Sequence, residues 1–262
     1  MRVLMIQNSV LETVDKNLKH IKKIMSKVAS KDIDFIVFPE MFTTPYEMEY
    51  FKKNKQNKNG EVIHFLKQTA IKFNSYIIGG SIPESFDKKL FNTTYIINRQ
   101  GEIIQKYRKI HLFSITYPNG QTFNESDTLS KGEEIVTFDT DLGRMGVMIC
   151  FDIRFPMQAR TLRQKGAKVI FIPAAFNTFT GPMHWHITFK SRAIDNQLFV
   201  IGVSPARDSF GQYEPYGHSL AINPLGNIIK ELDETEGWGI VDIDLSEVQT
   251  IRKRIPIVKN DV

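Results

Sequence analysis

The chain has 262 residues, 42% of them hydrophobic, and a formal net charge of +5. That apolar content supports a sizeable core and excludes a disordered polyelectrolyte. No apolar run approaches the ~20 residues of a membrane span, and the lysines are dispersed without interleaved aromatic residues, so neither a membrane nor a nucleic acid is expected as a partner.

Residues 2–7 read as a first strand, without the apolar core and cleavage site of a signal peptide. Together with a single cysteine, which forbids an intramolecular disulfide, this start points to a reducing cytoplasm. Val14, Leu18, Ile21, Met25 and Val28 recur at helical spacing and give one apolar face. Residues 34–38 form a short, almost wholly apolar strand, the pattern of a strand covered on both faces, and Pro39 and Glu40 end it. The lysine-rich stretch 52–58 reads as a polar loop. A helix over about 62–73 precedes a strand over 76–80. Gly79-Gly80 is no phosphate loop, because Ser81-Ile82-Pro83 lacks the lysine and the helix start.

The middle of the chain reads as antiparallel. Residues 90–98 and 102–105 flank the turn Arg99-Gln100-Gly101 as a hairpin. A second strand pair brackets Asp141-Leu142-Gly143 and runs to Cys150. A helix after Pro156, a strand over 167–172, a helix over 184–196 and a strand over 198–203 follow. Strands over 219–222, 228–230 and 239–242 and a helix over 245–254 complete the chain. With no linker and no repeat, residues 1–262 read as a single α/β domain. Mixed sheets packed face to face, with helices on both outer sides, satisfy this pattern.

Three reactive side chains occupy comparable places: Glu40 after one buried strand, Lys109 beyond another and Cys150 at the end of a third. If the strand ends converge, they form a coherent acyl-transfer set. Glu40 removes the thiol proton, the thiolate of Cys150 attacks, and Lys109 with a backbone N–H after the cysteine stabilises the oxyanion. Each residue also has a plainer reading: a loop charge or helix cap, a solvated lysine, a small buried hydrophobe. Spacing along the chain does not decide between them.

Phe38-Pro39-Glu40, Tyr107-Arg108-Lys109-Ile110-His111-Leu112 and Ile149-Cys150-Phe151-Asp152-Ile153-Arg154-Phe155-Pro156 stand in the order found in the nitrilase superfamily of carbon–nitrogen hydrolases, which the chain resembles over nearly its whole length. The resemblance implies a four-layer αββα sandwich and a Glu40–Lys109–Cys150 triad, with Glu125 as a further glutamate that positions substrate and lysine. It implies no cofactor, a small-molecule amide substrate and a homodimer or larger homo-oligomer.

Segments 174–185, 191–197, 204–208 and 216–219 most resemble the ω-amidase branch, which implies a substrate such as 2-oxoglutaramate or 2-oxosuccinamate. Amidase action on deaminated glutathione or an N-carbamoyl compound is the alternative within the family. A catalytically silent scaffold is the alternative outside it, and the intact triad argues against that.

A substrate carboxylate needs a cationic or N–H-rich partner. Arg154 is the candidate; an ion pair with Asp152 or another acid is its plainer role. Phe151, where many relatives carry tyrosine, and Phe176 and Asn177 are the other expected substrate contacts, although core packing accounts equally well for Phe176. Ser114 and Thr116 replace acidic residues frequent in relatives. His184 and His186 flank Trp185, but on a helix they diverge, so no metal site is expected. The apolar stretch 255–258 is expected to pack on the domain or on a second subunit.

Overall fold

Both faces of β1 (Arg2–Gln7) are buried, and this strand shows why the chain stacks in layers. Val3 and Met5 point into one core, whereas Leu4 and Ile6 point into another. A strand with two apolar faces must be covered twice.

The computed structural model describes residues 1–29 and 32–260. After β1 come α1 (Val14–Ser26), β2 (Phe35–Val37), α2 (Met48–Lys53), α3 (Glu61–Phe73), β3 (Tyr76–Ile78), β4 (Ile82–Phe86), β5 (Lys89–Ile97) and β6 (Ile103–Arg108). The short pair β7 (Ser114–Thr116) and β8 (Thr122–Asn124) separates these from β9 (Thr137–Thr140), β10 (Gly143–Val147), α4 (Pro156–Gln164), β11 (Val169–Pro173) and α5 (Gly181–Asn196). The rest is β12 (Phe199–Val203), β13 (Leu220–Ile222), β14 (Ile228–Glu231), β15 (Gly237–Asp242) and α6 (Ser246–Arg254).

One sheet runs β15-β1-β2-β3-β5-β4, with β6 also paired to β5; the other runs β14-β13-β12-β11-β10-β9. β1, β2 and β3 are parallel to one another, as are β10, β11 and β12, and the outer pairings are antiparallel. Between the sheets Phe35 meets Phe171 with ring centroids 4.9 Å apart. α1 and α3 cover the outer face of the first sheet through Leu18, Ile21, Val62 and Leu66. α4 and α5 contribute Leu162, Trp185 and Phe189 to the core of the second. The result is the four-layer αββα sandwich. α5 lies close because Gly202 leaves room: a Cβ there would meet the Phe189 ring at 2.2 Å.

Two local expectations are corrected, and a third is met only in part by the single chain. The strand leading to the cysteine stops at Val147, and Cys150 opens a 3-10 turn, Cys150–Arg154, with φ at 44°. Lys52 and Lys53 end α2, where cations suit the helix dipole, rather than lying in a loop. Ile255 and Ile257 remain 46% and 44% exposed, so the C-terminal apolar stretch is only partly covered by its own chain.

Candidate active site

Glu40, Lys109 and Cys150 come together. Glu40 sits three residues beyond β2, in a loop held by Phe38 N–H donating to Ile78 O and Ser81 N–H donating to Pro39 O. The path is tight. Gly80 has φ of +54°, and a Cβ on it would lie 2.2 Å from Pro39 O. Lys109 follows β6 and is pinned at both backbone groups, its N–H donating to Asn92 O and its carbonyl accepting from Gly132.

Both side chains are fully buried. The Lys109 ammonium donates to Glu40 Oε1 at 2.8 Å and lies 2.9 Å from Glu125 Oε2. Its distance to the Tyr46 hydroxyl is 3.3 Å. That hydroxyl lies 2.7 Å from Glu125 Oε1 and 3.2 Å from Glu40 Oε1; its single proton suits the shorter contact. Asn92 donates to Glu40 Oε1 at 2.8 Å. Glu125 opens a 3-10 turn and is locked by the Phe113 N–H, 2.7 Å from its Oε2. Among the described residues Glu40 Oε2 meets no hydrogen-bond donor within geometric range, and the Cys150 thiol is a neighbour of this carboxylate.

Cys150 is brought to this cluster by the turn after β10. Asp152 builds the turn: its carboxylate accepts from Ile149 N–H at 3.0 Å and Tyr107 OH at 2.6 Å, and from His111 N–H at 2.9 Å. The same carboxylate thereby ties the cysteine turn to the segment that carries Lys109. Cys150 Sγ lies 3.5 Å from the Ala175 N–H and interacts electrostatically with Glu40 and Lys109. Burial pushes the thiol well above its ordinary range, and the Glu40 charge adds to this while Lys109 opposes it. Burial also raises Glu40, against the pull of Lys109 and with help from Glu125. Lys109 loses stability as an ammonium by burial, but Glu125 and Glu40 outweigh that and hold it protonated. The arrangement therefore rests as a neutral thiol beside a carboxylate ready to take a proton.

A cavity of 790 Å3 opens outside this cluster, lined by Tyr46, Tyr117, Phe123, Asn177, Phe179 and Tyr213 among others. Tyr46 and Tyr213 stack at 4.5 Å and stand between the cavity and Glu40. Tyr213 OH donates to Ala175 O. Asn177 donates to Tyr117 OH at 2.8 Å and accepts from Thr180 N–H, so it both lines the cavity and steadies the start of α5. Ser114 and Thr116 are exposed on β7.

Arg154, Phe151 and Phe176 form a separate group that does not line this cavity. The Arg154 guanidinium lies 4.9 Å from the Phe176 ring centroid and 5.6 Å from that of Phe151. Burial lowers its pKa, and the Cys150 charge opposes that shift. Asp152 is engaged elsewhere, and no described carboxylate pairs with Arg154; besides the two rings it meets His184 Nδ1 at 3.2 Å. Phe176 is 3% exposed and packs edge-on against Trp185, so its role in the core is plain.

Tyr46, Asn92 and Tyr213 escaped the sequence reading. Asn92 alone carried a signal: with Thr93 and Thr94 it puts a buried polar run inside a strand that is otherwise apolar after Lys89.

The sequence profile of the family described as carbon-nitrogen hydrolase matches residues 2–253. The chain is 42% identical to omega-amidase NIT3 of Saccharomyces cerevisiae over 234 residues, 87% of this chain and 80% of that protein. It is 38% identical to human omega-amidase NIT2 over 258 residues, 98% of this chain and 94% of that one. The crystal structure of S. cerevisiae Nit3, a member of branch 10 of the nitrilase superfamily, superposes with a TM-score of 0.89 at 36% identity, covering 99% of this chain and 96% of that one.

One consequence concerns stability. Glu40, Glu125 and Lys109 together carry one excess negative charge, and the raised pKa of Glu40 means that folding favours its protonated form. That contribution is fully present below the ordinary glutamate pKa, about 4.3, and is lost as pH rises through the folded-state value. Glu40→Gln mimics the protonated form. It should unfold in urea at or above the wild-type midpoint near pH 7, and its advantage should widen as pH rises above the ordinary glutamate pKa of about 4.3. An advantage that does not change with pH would show that Glu40 is not held above its ordinary range.

Proposed function

The chain belongs to the carbon–nitrogen hydrolase family of the nitrilase superfamily, and we propose that Glu40, Lys109 and Cys150 are its catalytic groups, with Glu125 positioning Lys109. The enzyme is a cysteine amidase acting on ω-amides, the activity named in its relatives NIT2 and NIT3. We assign it 2-oxoglutaramate or 2-oxosuccinamate as substrate, on the resemblance of segments 174–185 and 216–219 to that branch. The observation that carries the mechanism is the buried ammonium of Lys109 between two carboxylates, beside the chain's single thiol.

The steps follow from the geometry. Glu40 Oε2, free of other hydrogen bonds, takes the Cys150 proton as Sγ attacks the amide carbon. The oxyanion is met by the Lys109 ammonium, which turns from its longest contact, Tyr46, and by a backbone N–H after Cys150. Collapse breaks the C–N bond, and the proton on Glu40 passes to the departing nitrogen, which leaves as ammonia. Water then gives a proton to Glu40 and attacks the thioester, and the thiolate leaves and is reprotonated. The products are the dicarboxylate and ammonia.

Arg154 is assigned the far carboxylate of the substrate. A half-buried cation among aromatic rings, without an acidic partner among the described residues, is partly desolvated and gains when an anion arrives. Phe151 and Phe176 flank it, and Asn177 shapes the cavity mouth. The assigned working unit is residues 1–262 acting as one domain in a reducing cytoplasm, where an unpaired thiol persists. We further assign a homodimer formed through α4 and α5. Met183, Ile187 and Ile194 on α5 are exposed at spacings of four and seven residues, and Met157 of α4 adds to this apolar surface.

Cys150→Ala should stay folded and release no ammonia from 2-oxoglutaramate. Glu40→Gln and Lys109→Met should each lower kcat by about a hundredfold or more, close to 3 kcal/mol at the barrier. Wild-type turnover by any of the three folded variants sinks the mechanism.

For specificity, 2-oxoglutaramate should outperform a neutral amide of equal length. Arg154→Ala should lower kcat/KM for the charged substrate by roughly 2–4 kcal/mol and leave the neutral amide nearly unaffected. Equal losses on both would make Arg154 structural.

For assembly, light scattering at micromolar concentration should report a dimer, and Ile187→Glu should give a monomer. A monomeric wild type rejects this interface.

A further inference from the structure

Neighbouring histidines on α5 go to different sides of the fold. His184 meets Arg154, as described above, while His186 reaches across to the β13–β14 region. There it finds His218, two residues before β13, and Glu231, the last residue of β14. We propose that His186, His218 and Glu231 form a zinc site, far apart in sequence and unrelated to the amide chemistry.

The three ligand atoms lie within 4.8 Å of one another. His186 Nε2 is 2.6 Å from Glu231 Oε1, and His218 Nδ1 is 3.5 Å from the same oxygen. A zinc ion bound at about 2.1 Å in a tetrahedron keeps its ligands roughly 3.4 Å apart. Bringing this group to that geometry needs only that the His186–Glu231 hydrogen bond open and the two rings draw in, movements within reach of partly exposed side chains. Imidazole and carboxylate together suit zinc, whereas magnesium and calcium prefer oxygen alone. Water completes the fourth position.

Two further features mark this group off from a casual surface contact. His218 is held in place from several sides. It has φ of 58°, its N–H donates to Asp233 O, its carbonyl accepts from the Trp185 indole at 2.8 Å, and Tyr216 lies against its ring at 4.3 Å. Its second nitrogen, Nε2, faces Glu234 Oε2 at 3.9 Å. A metal-bound histidine characteristically turns its other nitrogen to a carboxylate, which orients the ring and raises its basicity. The bound ion would fasten α5 to the edge of the six-stranded sheet, because β14 is its outermost strand.

Zinc binding is measured by titration against a chromophoric chelator, on full-length Cys150→Ala protein so that the thiol does not compete. One equivalent should bind with micromolar or tighter affinity, unaffected by millimolar magnesium, and raise the melting temperature. His186→Ala and His218→Ala, each added to that background, should weaken binding at least tenfold. His64→Ala, on the exposed side of α3, should not. Glu231→Gln, which keeps the side chain's shape, replaces either histidine variant should one fail to fold. No saturable uptake, or undiminished affinity in any of the three site variants, overturns the site.

Discussion

The Lys109 ammonium holds Glu40 at 2.8 Å and Glu125 at 2.9 Å in a volume closed to water. Taking one carboxylate out of water is costly, and taking out two side by side is more so. A single cation between them offsets both costs only when the distances are short and the remaining protons and lone pairs are occupied. Tyr46 and Asn92 supply those contacts. Glu40 Oε2 is among the buried oxygens left over, and it belongs to the group assigned to move a proton. The same balance raises Glu40 and holds Lys109 protonated, so the proposed base and the proposed electrophile belong to one ion cluster.

That cluster sits on the seam of the sandwich. Glu40 and Lys109 follow β2 and β6 of one sheet, while Cys150 follows β10 of the other. Cys150 and Glu40, the proposed nucleophile and base, therefore meet only because the sheets pack face to face through contacts such as Phe35 with Phe171. Asp152 secures the join at close range, since its carboxylate accepts from both the cysteine turn and the segment around Lys109. The packed core sets the approach, and a hydrogen-bonded carboxylate fixes the last few ångströms.

Around the cluster the polar work is done by a few groups in an aromatic shell. Tyr46 and Tyr213 separate the cavity from the ion cluster, and burial pushes both phenols well above their ordinary range, so they stay neutral hydrogen-bond donors. Arg154 is half-buried against Phe151 and Phe176, with no acid paired to it among the described residues. In the proposed reaction this cation is the counterpart of the charged substrate end, and Lys109 is left to the reacting carbonyl.

Local pattern was enough for much of this. The apolar runs of β1, β2, β11 and β12, and the helical spacing in α1 and α3, are short-range signals of how each segment must be buried, and they led to a layered α/β fold. Motif order around Glu40, Lys109 and Cys150 marked the reactive residues. What the pattern lacked was anything that depends on partners distant in the chain. It ran the strand on to Cys150, because a buried 3-10 turn is as apolar as a strand; the left-handed φ at the cysteine and the Asp152 carboxylate that supports it are tertiary facts. It gave no weight to Tyr46 or Tyr213, whose environment is made by segments more than a hundred residues apart. It separated His184 from His186 correctly, but His218 and Glu231 reach His186 only through sheet topology. Burial periodicity is written locally in a sequence. Hydrogen-bond geometry and charge balance are set by register and packing, which only the folded chain decides.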